Sequence, residues 1–165
     1  MKKIAVIGIP GGGKTTFSKK LSEILGIEII HLDKEYWDKN WKRKFADKDW
    51  EDFQKQLIKN DSWIIDGNYT KTVDIRIEGA DTIFLFDIPK IKSLFRVHKR
   101  LFKKPTDKEE GAKEKVRLEL IKFILKYPRR KTRDKVLSVS EIKDVFIIKN
   151  DRQSKKILEK IKSEK

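Results

Sequence analysis

The chain has 165 residues, the size of one ordinary domain with a single hydrophobic core. Hydrophobic residues make up 38%, with four Trp and nine Phe, which excludes wholesale disorder despite 41% charged residues and a mean hydropathy of −0.65. Net charge is +15 and cysteine is absent, so acidic partners are expected while disulfide and thiolate chemistry is excluded.

Lys2 to Ile7 (KKIAVI) is a short apolar run ending at Gly8, the pattern of a buried strand. A glycine-rich loop follows. Over Lys14 to Leu25, Phe17, Leu21, Ile24 and Leu25 fall at helical spacing, and Gly26 stops that helix. Glu28 to Leu32 (EIIHL) predicts a second strand running into Asp33. Residues 34–60 mix aromatics with charges, and a helix is predicted from about Asp47, where Trp50, Phe53, Leu57 and Ile58 share a face. Trp63 to Ile65 predicts a third strand closed by Asp66-Gly67-Asn68, and Thr82 to Ile88 a fourth.

Pro89 opens the next helix, at a position where its missing N–H costs nothing. Residues 103–111 read as a charged loop and 112–127 as a helix. Val145 to Ile148 predicts a fifth strand before a final polar helix. Apolar strands alternating with helices predict an α/β fold around a parallel sheet. No repeat, linker or low-complexity segment interrupts residues 1–165, which read as one domain. The basic N-terminus leads only about five apolar residues, short of the roughly 7–15 of a secretion signal. No run approaches the ~18 apolar residues of a membrane span. A cytoplasmic setting without a membrane partner is therefore expected, as a monomer or weak dimer.

Gly8-Ile9-Pro10-Gly11-Gly12-Gly13-Lys14-Thr15 satisfies G-x-x-x-x-G-K-[ST], with Thr16 next. Glycines at 8, 11, 12 and 13 let backbone N–H groups turn inward around phosphate oxygens, and the following helix points its positive end at the same anion. Lys14 is expected to neutralise the β- and γ-phosphates of ATP or GTP, and the Thr15 hydroxyl to ligate Mg²⁺.

Asp33 and Asp66 each sit just past the carboxyl end of an apolar strand, where open α/β sheets place their ligands. One carboxylate there can hold the metal through water; the other can orient an acceptor hydroxyl or take its proton. The plainer alternative is an N-cap or turn aspartate. His31 reads as structural and stays outside the expected site. Tyr36, Trp37, Trp41 and Phe45 either wall an acceptor pocket or belong to the core, and such spacing favours core.

Between Lys90 and Lys135 there are 18 Lys/Arg against 6 Asp/Glu, so most of the net charge lies in one segment. Arg96 and Arg100 are four apart and share a helix face. Arg129, Arg130 and Arg133 cluster after Pro128. A mobile basic segment closing on nucleotide would exclude water and supply charge, one such arginine being worth roughly 10³–10⁵ in rate. The same charge can alternatively serve a nucleic-acid surface on a nucleotide-switched ATPase, with Phe95, Phe102, Phe123 and Tyr127 as its few aromatics.

GIPGGGKTT resembles the phosphate loop of adenylate kinases and their nucleoside- and small-molecule-kinase relatives. WIIDGNY is similar to their third-strand motif, whose aspartate contacts the magnesium shell, and FDIPKIKSLFRVHKR to the segment entering their lid. The resemblance implies that Asp66 takes the metal-shell role and that Arg96 and Arg100 meet nucleotide base and phosphates. It also implies five parallel strands in the order 2-3-1-4-5, an acceptor-side insertion over about 34–60 and a basic lid over about 103–133. In that order strand 3 adjoins the phosphate loop's strand, which favours Asp66 over Asp87 as the metal-shell residue. Asp87 is then expected to brace the lid entry or the phosphate-loop helix.

IIHLD…W, WIIDGNY, ADTIFLFDIP and YPRR, in that order, resemble the DNA topology modulation protein family, small bacterial P-loop proteins related to adenylate kinase. That likeness spans roughly residues 2–150. Its name implies an effect on DNA supercoiling, whereas its fold implies a kinase. Adenylate kinases carry Phe-Pro-Arg where this chain has Asn68-Tyr69, and neither Arg76 nor Arg43 stands where they place an acceptor arginine. Asp33 after strand 2 is more similar to shikimate and gluconate kinases, whose acceptors present hydroxyls. The expectation is a phosphotransferase using ATP and Mg²⁺ on a small nucleotide or hydroxylated acceptor, with Lys14, Asp33, Arg96 and Arg100 carrying the chemistry.

Overall fold

The computed structural model describes residues 1–40, 42–102 and 110–164; over 100–102 and 110–117 it describes the backbone alone. In chain order the elements are β1 (Lys3–Gly8), α1 (Lys14–Leu25), β2 (Ile29–His31), α2 (Leu32–Tyr36), α3 (Asp47–Leu57), β3 (Trp63–Asp66) and α4 (Val73–Gly79). Then come β4 (Thr82–Phe86), α5 (Lys90–Phe102), α6 (Glu110–Lys126), α7 (Arg129–Leu137), β5 (Asp144–Ile148) and α8 (Asp151–Ser163). The strands form one parallel sheet in the order β2-β3-β1-β4-β5.

The sheet is covered on both faces, and β1 shows why its sequence is apolar at every position. Ile4 and Val6 point into one core with Phe17 and Leu21 of α1, Phe84 and Phe86 of β4, Ile124 of α6 and Leu158 of α8. Ala5 and Ile7 point into the opposite core with Trp50 of α3, Trp63 of β3, Val73 and Ile77 of α4 and Val136 of α7. A strand buried on both faces cannot alternate polar with apolar residues. Each such Ile or Phe side chain contributes about 1.5–3 kcal/mol by leaving water.

The ends of elements differ from the sequence reading where a turn begins early. Leu32 is already in α2, so β2 stops at His31, and β4 stops at Phe86 rather than Ile88. The sequence reading did not anticipate α2 or α4. Nor did it anticipate α7, which makes the Arg129–Arg133 stretch a helix packed through Thr132 and Val136. The loop expected over 103–111 lies outside the described residues up to 109, with Glu110 and Gly111 belonging to α6. Trp41 also lies outside them. At the start of α8, Asn150 accepts from the Gln153 N–H at 3.0 Å while Gln153 Oε1 accepts from the Lys149 N–H at 2.8 Å, a reciprocal cap.

Candidate functional site

The loop between β1 and α1 closes tightly because its glycines admit neighbours that a side chain would displace. At Gly8 (φ 135°) a Cβ would overlap the Phe86 carbonyl of the adjoining strand. At Gly11 (φ 72°) it would lie 2.8 Å from Val97 Cγ2. Helix α5 therefore backs the loop directly. Ser93 donates from Oγ to the Pro10 carbonyl, and Arg96 donates from Nη1 to the Gly12 carbonyl at 3.0 Å.

The N–H groups of Lys14, Thr15 and Thr16 open α1 and have no carbonyl within the helix to meet. Gly13 precedes them as the left-handed N-cap residue, and the first turn holds no acidic side chain to compete for the helix's positive end. Lys14 reaches across the loop and donates from Nζ to the Ile9 carbonyl at 3.0 Å. The arrangement is a cradle for a polyphosphate.

Beside the cradle, β3 pairs with β1 so that Asp66 stands opposite Val6, one turn of chain from the loop. Asp66 is buried, and its Oδ2 accepts from Thr15 Oγ1 at 2.8 Å. Because the hydroxyl spends its proton on Asp66, the lone pairs of Thr15 Oγ1 remain for a cation. The same carboxylate oxygen lies 3.2 Å from His31 Nδ1, since β2 pairs with β3 with His31 opposite Asp66. A carboxylate only accepts, so this contact places the imidazole proton on Nδ1.

A hydroxyl, a buried carboxylate and nearby room for phosphate oxygens make the all-oxygen set that Mg²⁺ takes, with water filling the other positions. No group of three or more His, Asp or Glu gathers at ligand spacing among the described residues, as is usual for a metal shared with phosphates. His31, expected to be structural, thus touches the carboxylate of the candidate site.

Asp87 follows β4 on the other flank. It is buried and receives Arg129 through Nε, while Arg129 Nη2 donates to the Asp87 carbonyl at 3.1 Å. Arg133 Nη1 is 3.9 Å from Asp87 Oδ2. Asp87 therefore anchors the start of α7, while the phosphate-loop helix meets Asp66. Beside it an open depression of about 660 Å³ is lined by Lys90, Tyr127, Arg129, Arg130 and Lys131, with Asp134 among them.

Arg96 also holds Asp151 at the start of α8 with two bonds from Nη2, at 2.8 and 2.7 Å. It thereby spans the gap between the phosphate loop and the β5–α8 turn. Arg100 lies one turn further along α5, its side chain outside the described residues.

Asp33 is exposed in the first turn of α2, beside the loop that follows β3. Burial first, and then the nearby Asp33 carboxylate, push the Tyr69 phenol above its usual range. Tyr69 belongs to an aromatic cluster with Tyr36 (5.0 Å between centroids) and Trp50 (5.0 Å), extended by Trp37, Phe45 and Phe53. Tyr36 and Trp50 are buried core; Trp37, Phe45 and Tyr69 are partly open and form a wall. The core reading of the aromatic stretch therefore holds for Tyr36, with Trp37 and Phe45 packed against that core.

Arg76 is fully buried beneath this wall. It donates to Gln54 Oε1, to the Thr72 carbonyl at 3.4 Å and to the Asn68 carbonyl at 3.2 Å, and burial lowers its pKa to about 10. It braces the Asn68-Tyr69 loop from behind and faces no solvent. Arg43 is exposed, 5.7 Å over the Tyr36 ring and 3.3 Å from Asp47. Asn68 Oδ1 accepts from the Tyr127 hydroxyl at 3.3 Å, tying the loop after β3 to the end of α6.

No family model matches the chain, and no curated protein sequence matches it. Solved structures do. Shikimate kinase from Acinetobacter baumannii in complex with shikimate is 20% identical, with a TM-score of 0.59 over 100% of this chain and 95% of that one. Shikimate kinase from Bacteroides thetaiotaomicron is 13% identical, with a TM-score of 0.59 over 97% and 96%. A sugar kinase from a Janibacter species, unliganded, is 15% identical, with a TM-score of 0.51 over 99% and 91%. At these identities the likeness establishes the fold alone, the parallel α/β fold that these three structures share.

Proposed function

We propose that this chain is an ATP-dependent phosphotransferase acting on a hydroxyl of a small nucleotide or hydroxylated metabolite. The observation that carries the reading is the 2.8 Å bond between Thr15 and Asp66, which sets a cation-ready hydroxyl against a buried carboxylate at the mouth of the phosphate cradle. A protein that only grips phosphate needs the cradle and Lys14; the paired oxygen donors serve a metal that bears on the reacting phosphoryl group.

In this reading the N–H groups of Gly13 to Thr16 and the Lys14 ammonium hold the β- and γ-phosphates. Thr15 and Asp66 hold Mg²⁺, and His31 keeps Asp66 turned toward Thr15. Mg²⁺ held there would supply Lewis-acid charge neutralisation to the phosphoryl oxygens. The acceptor lies against Tyr69 and Trp37, where Asp33 takes the proton from its hydroxyl as the oxygen bonds to the γ-phosphorus. The bond from that phosphorus to the bridging oxygen breaks and ADP leaves. Arg96 steadies the loop and the nucleotide, while Arg100 and the arginines of α7 supply charge to the transferring group. Catalysis is then mostly positioning and charge neutralisation. The names of the structural neighbours, shikimate kinase and sugar kinase, support a hydroxyl acceptor.

The test is ADP release from Mg·ATP by the wild type and Lys14→Ala against nucleoside monophosphates, nucleosides, small hydroxylated acids, sugars and supercoiled DNA. One small acceptor should stimulate release, and Lys14→Ala should lower that rate at least about a hundredfold. Stimulation by DNA alone, or turnover indifferent to Lys14, would overturn the reading.

A further inference from the structure

The outer faces of α5 and α6 carry large apolar side chains that the fold leaves in solvent. Ile91 is 83% exposed and Phe95 66%, and Leu118 and Leu125 are each 55% exposed. They stand on one side of the molecule. Lys90 at the start of α5 donates from Nζ to the carbonyl of Leu125 near the end of α6 at 2.6 Å, and the two helices pack together. The helices are therefore antiparallel neighbours, the start of α5 lying beside the end of α6.

This face is separate from the phosphate cradle. The loop meets Ser93, Arg96 and Val97, and two residues along a helix turn it by about 200°, so Phe95 points away from both Ser93 and Val97. On α6 the inward side is taken by Ile124 and Tyr127, leaving Leu118 and Leu125, seven apart, on the outer one. Among the described side chains of these two helices, Lys92, Lys99, Lys122 and Lys126 are also exposed, and Glu119, the one described acid, is paired with Lys122 at 3.0 Å.

The geometry points to a docking face for an anionic phospholipid surface. An occupant must accept both ammonium groups and aliphatic side chains, and each alternative fails one of these demands. A second copy related by a twofold axis would set this basic face against itself. A nucleic acid would satisfy the lysines but offer Ile91, Leu118 and Leu125 only polar backbone, with Phe95 alone suited to stacking. A partner helix needs a groove, and side chains exposed to this degree are knobs.

A bilayer interface takes knobs by deforming, with acyl-chain boundary around the apolar groups and acidic headgroups around the lysines. No described helix is long and apolar enough to cross a membrane, and such a contact requires none.

The experiment is co-sedimentation of the full chain with vesicles of phosphatidylcholine alone and of phosphatidylcholine mixed with phosphatidylglycerol. Two variants accompany it: the double substitution Ile91→Ser with Phe95→Ser, and Lys92→Gln with Lys99→Gln. Circular dichroism and ADP release are followed for each, since neither pair touches the cradle. The expected result is binding to the phosphatidylglycerol vesicles only. It should weaken at least about tenfold in the serine pair, which removes apolar area at constant charge. It should weaken about fivefold per lysine in the glutamine pair.

Failure to bind phosphatidylglycerol vesicles at low salt would overturn the proposal. So would binding that the serine pair leaves unchanged, because charge alone would then suffice. Duplex-DNA binding or dimer formation lost in the serine pair, without vesicle binding, would reassign the face to that occupant.

Discussion

Thr15 Oγ1 and Asp66 Oδ2 lie 2.8 Å apart although 51 residues separate them in the chain. Nothing local brings them together. The parallel pairing of β1 with β3 sets Asp66 opposite Val6, and the loop that follows β1 then curls back to start α1 with Thr15 in its first turn. The sheet order is what converts two ordinary residues into a candidate metal-holding pair.

Replacing Asp66 by Asn keeps the shape and an acceptor for Thr15 but removes the charge. The variant is expected to fold normally and to lose about 10²–10³ in turnover at fixed Mg²⁺. Steady-state ADP release checks this, and a loss below tenfold would take Asp66 out of the metal role.

His31 touches the same carboxylate oxygen from the far side, so its removal should act through Asp66. His31→Ala is expected to raise the Mg²⁺ concentration needed for half-maximal turnover by about tenfold, with the rate at saturating Mg²⁺ largely kept. A Mg²⁺ titration separates this from a purely structural defect, which would lower the rate at every concentration.

Much of this arrangement is written in local sequence and part of it is not. The inner strands are legible because a strand buried on both faces is apolar nearly throughout, as Ile4 to Ile7 and Ile83 to Phe86 are. The phosphate loop is legible because its glycines, Lys14 and Thr15 are contiguous. Helix α7 was hidden because only Thr132 and Val136 of Arg129–Leu137 turn inward, too few to show a period. His31 was hidden because its partner is 35 residues away and reaches it only through the β2–β3 register. The Asp151 partner of Arg96 was equally out of reach, since it depends on where β5 delivers α8.

At the opposite end of the sheet, Asp81 fastens the N-terminus. Its Oδ2 accepts from the N–H groups of Lys2 and Lys3 at 2.7 and 2.9 Å, and its Oδ1 from Thr82 Oγ1 at 2.7 Å. Burial alone would raise its pKa, but these donors outweigh it and hold the carboxyl below the usual range. A depressed folded-state pKa gives stability that is present above the unfolded value and lost as pH falls through the folded one. Asp81→Asn is therefore expected to cost about 1 kcal/mol at neutral pH, allowing for solvent screening of an exposed group. The gap between wild type and variant should close below about pH 4. Urea unfolding at several pH values measures it, and a gap independent of pH would remove the charge from the explanation.

Arg129 and Arg130 are adjacent in sequence and opposite in environment, which gives a paired test of what anchors the start of α7. Arg130 is 95% exposed on its side chain, 4.0 Å from Asp134, so Arg130→Ala should leave stability nearly unchanged. Arg129 sits on the buried carboxylate of Asp87, and removing it leaves that charge without its nearest cation. Breaking a fully buried pair costs about 3–5 kcal/mol; because Arg129 keeps part of its side chain in water and Arg133 stands by, about 2 kcal/mol is expected for Arg129→Ala. If the loss arises from the stranded charge, Asp87→Asn in the same chain should restore a good part of it. The double variant should then unfold later than Arg129→Ala alone. A double variant less stable than either single one would mean that Asp87 holds β4 through its other contacts, and that the start of α7 is fixed by Tyr127 and Thr132 instead.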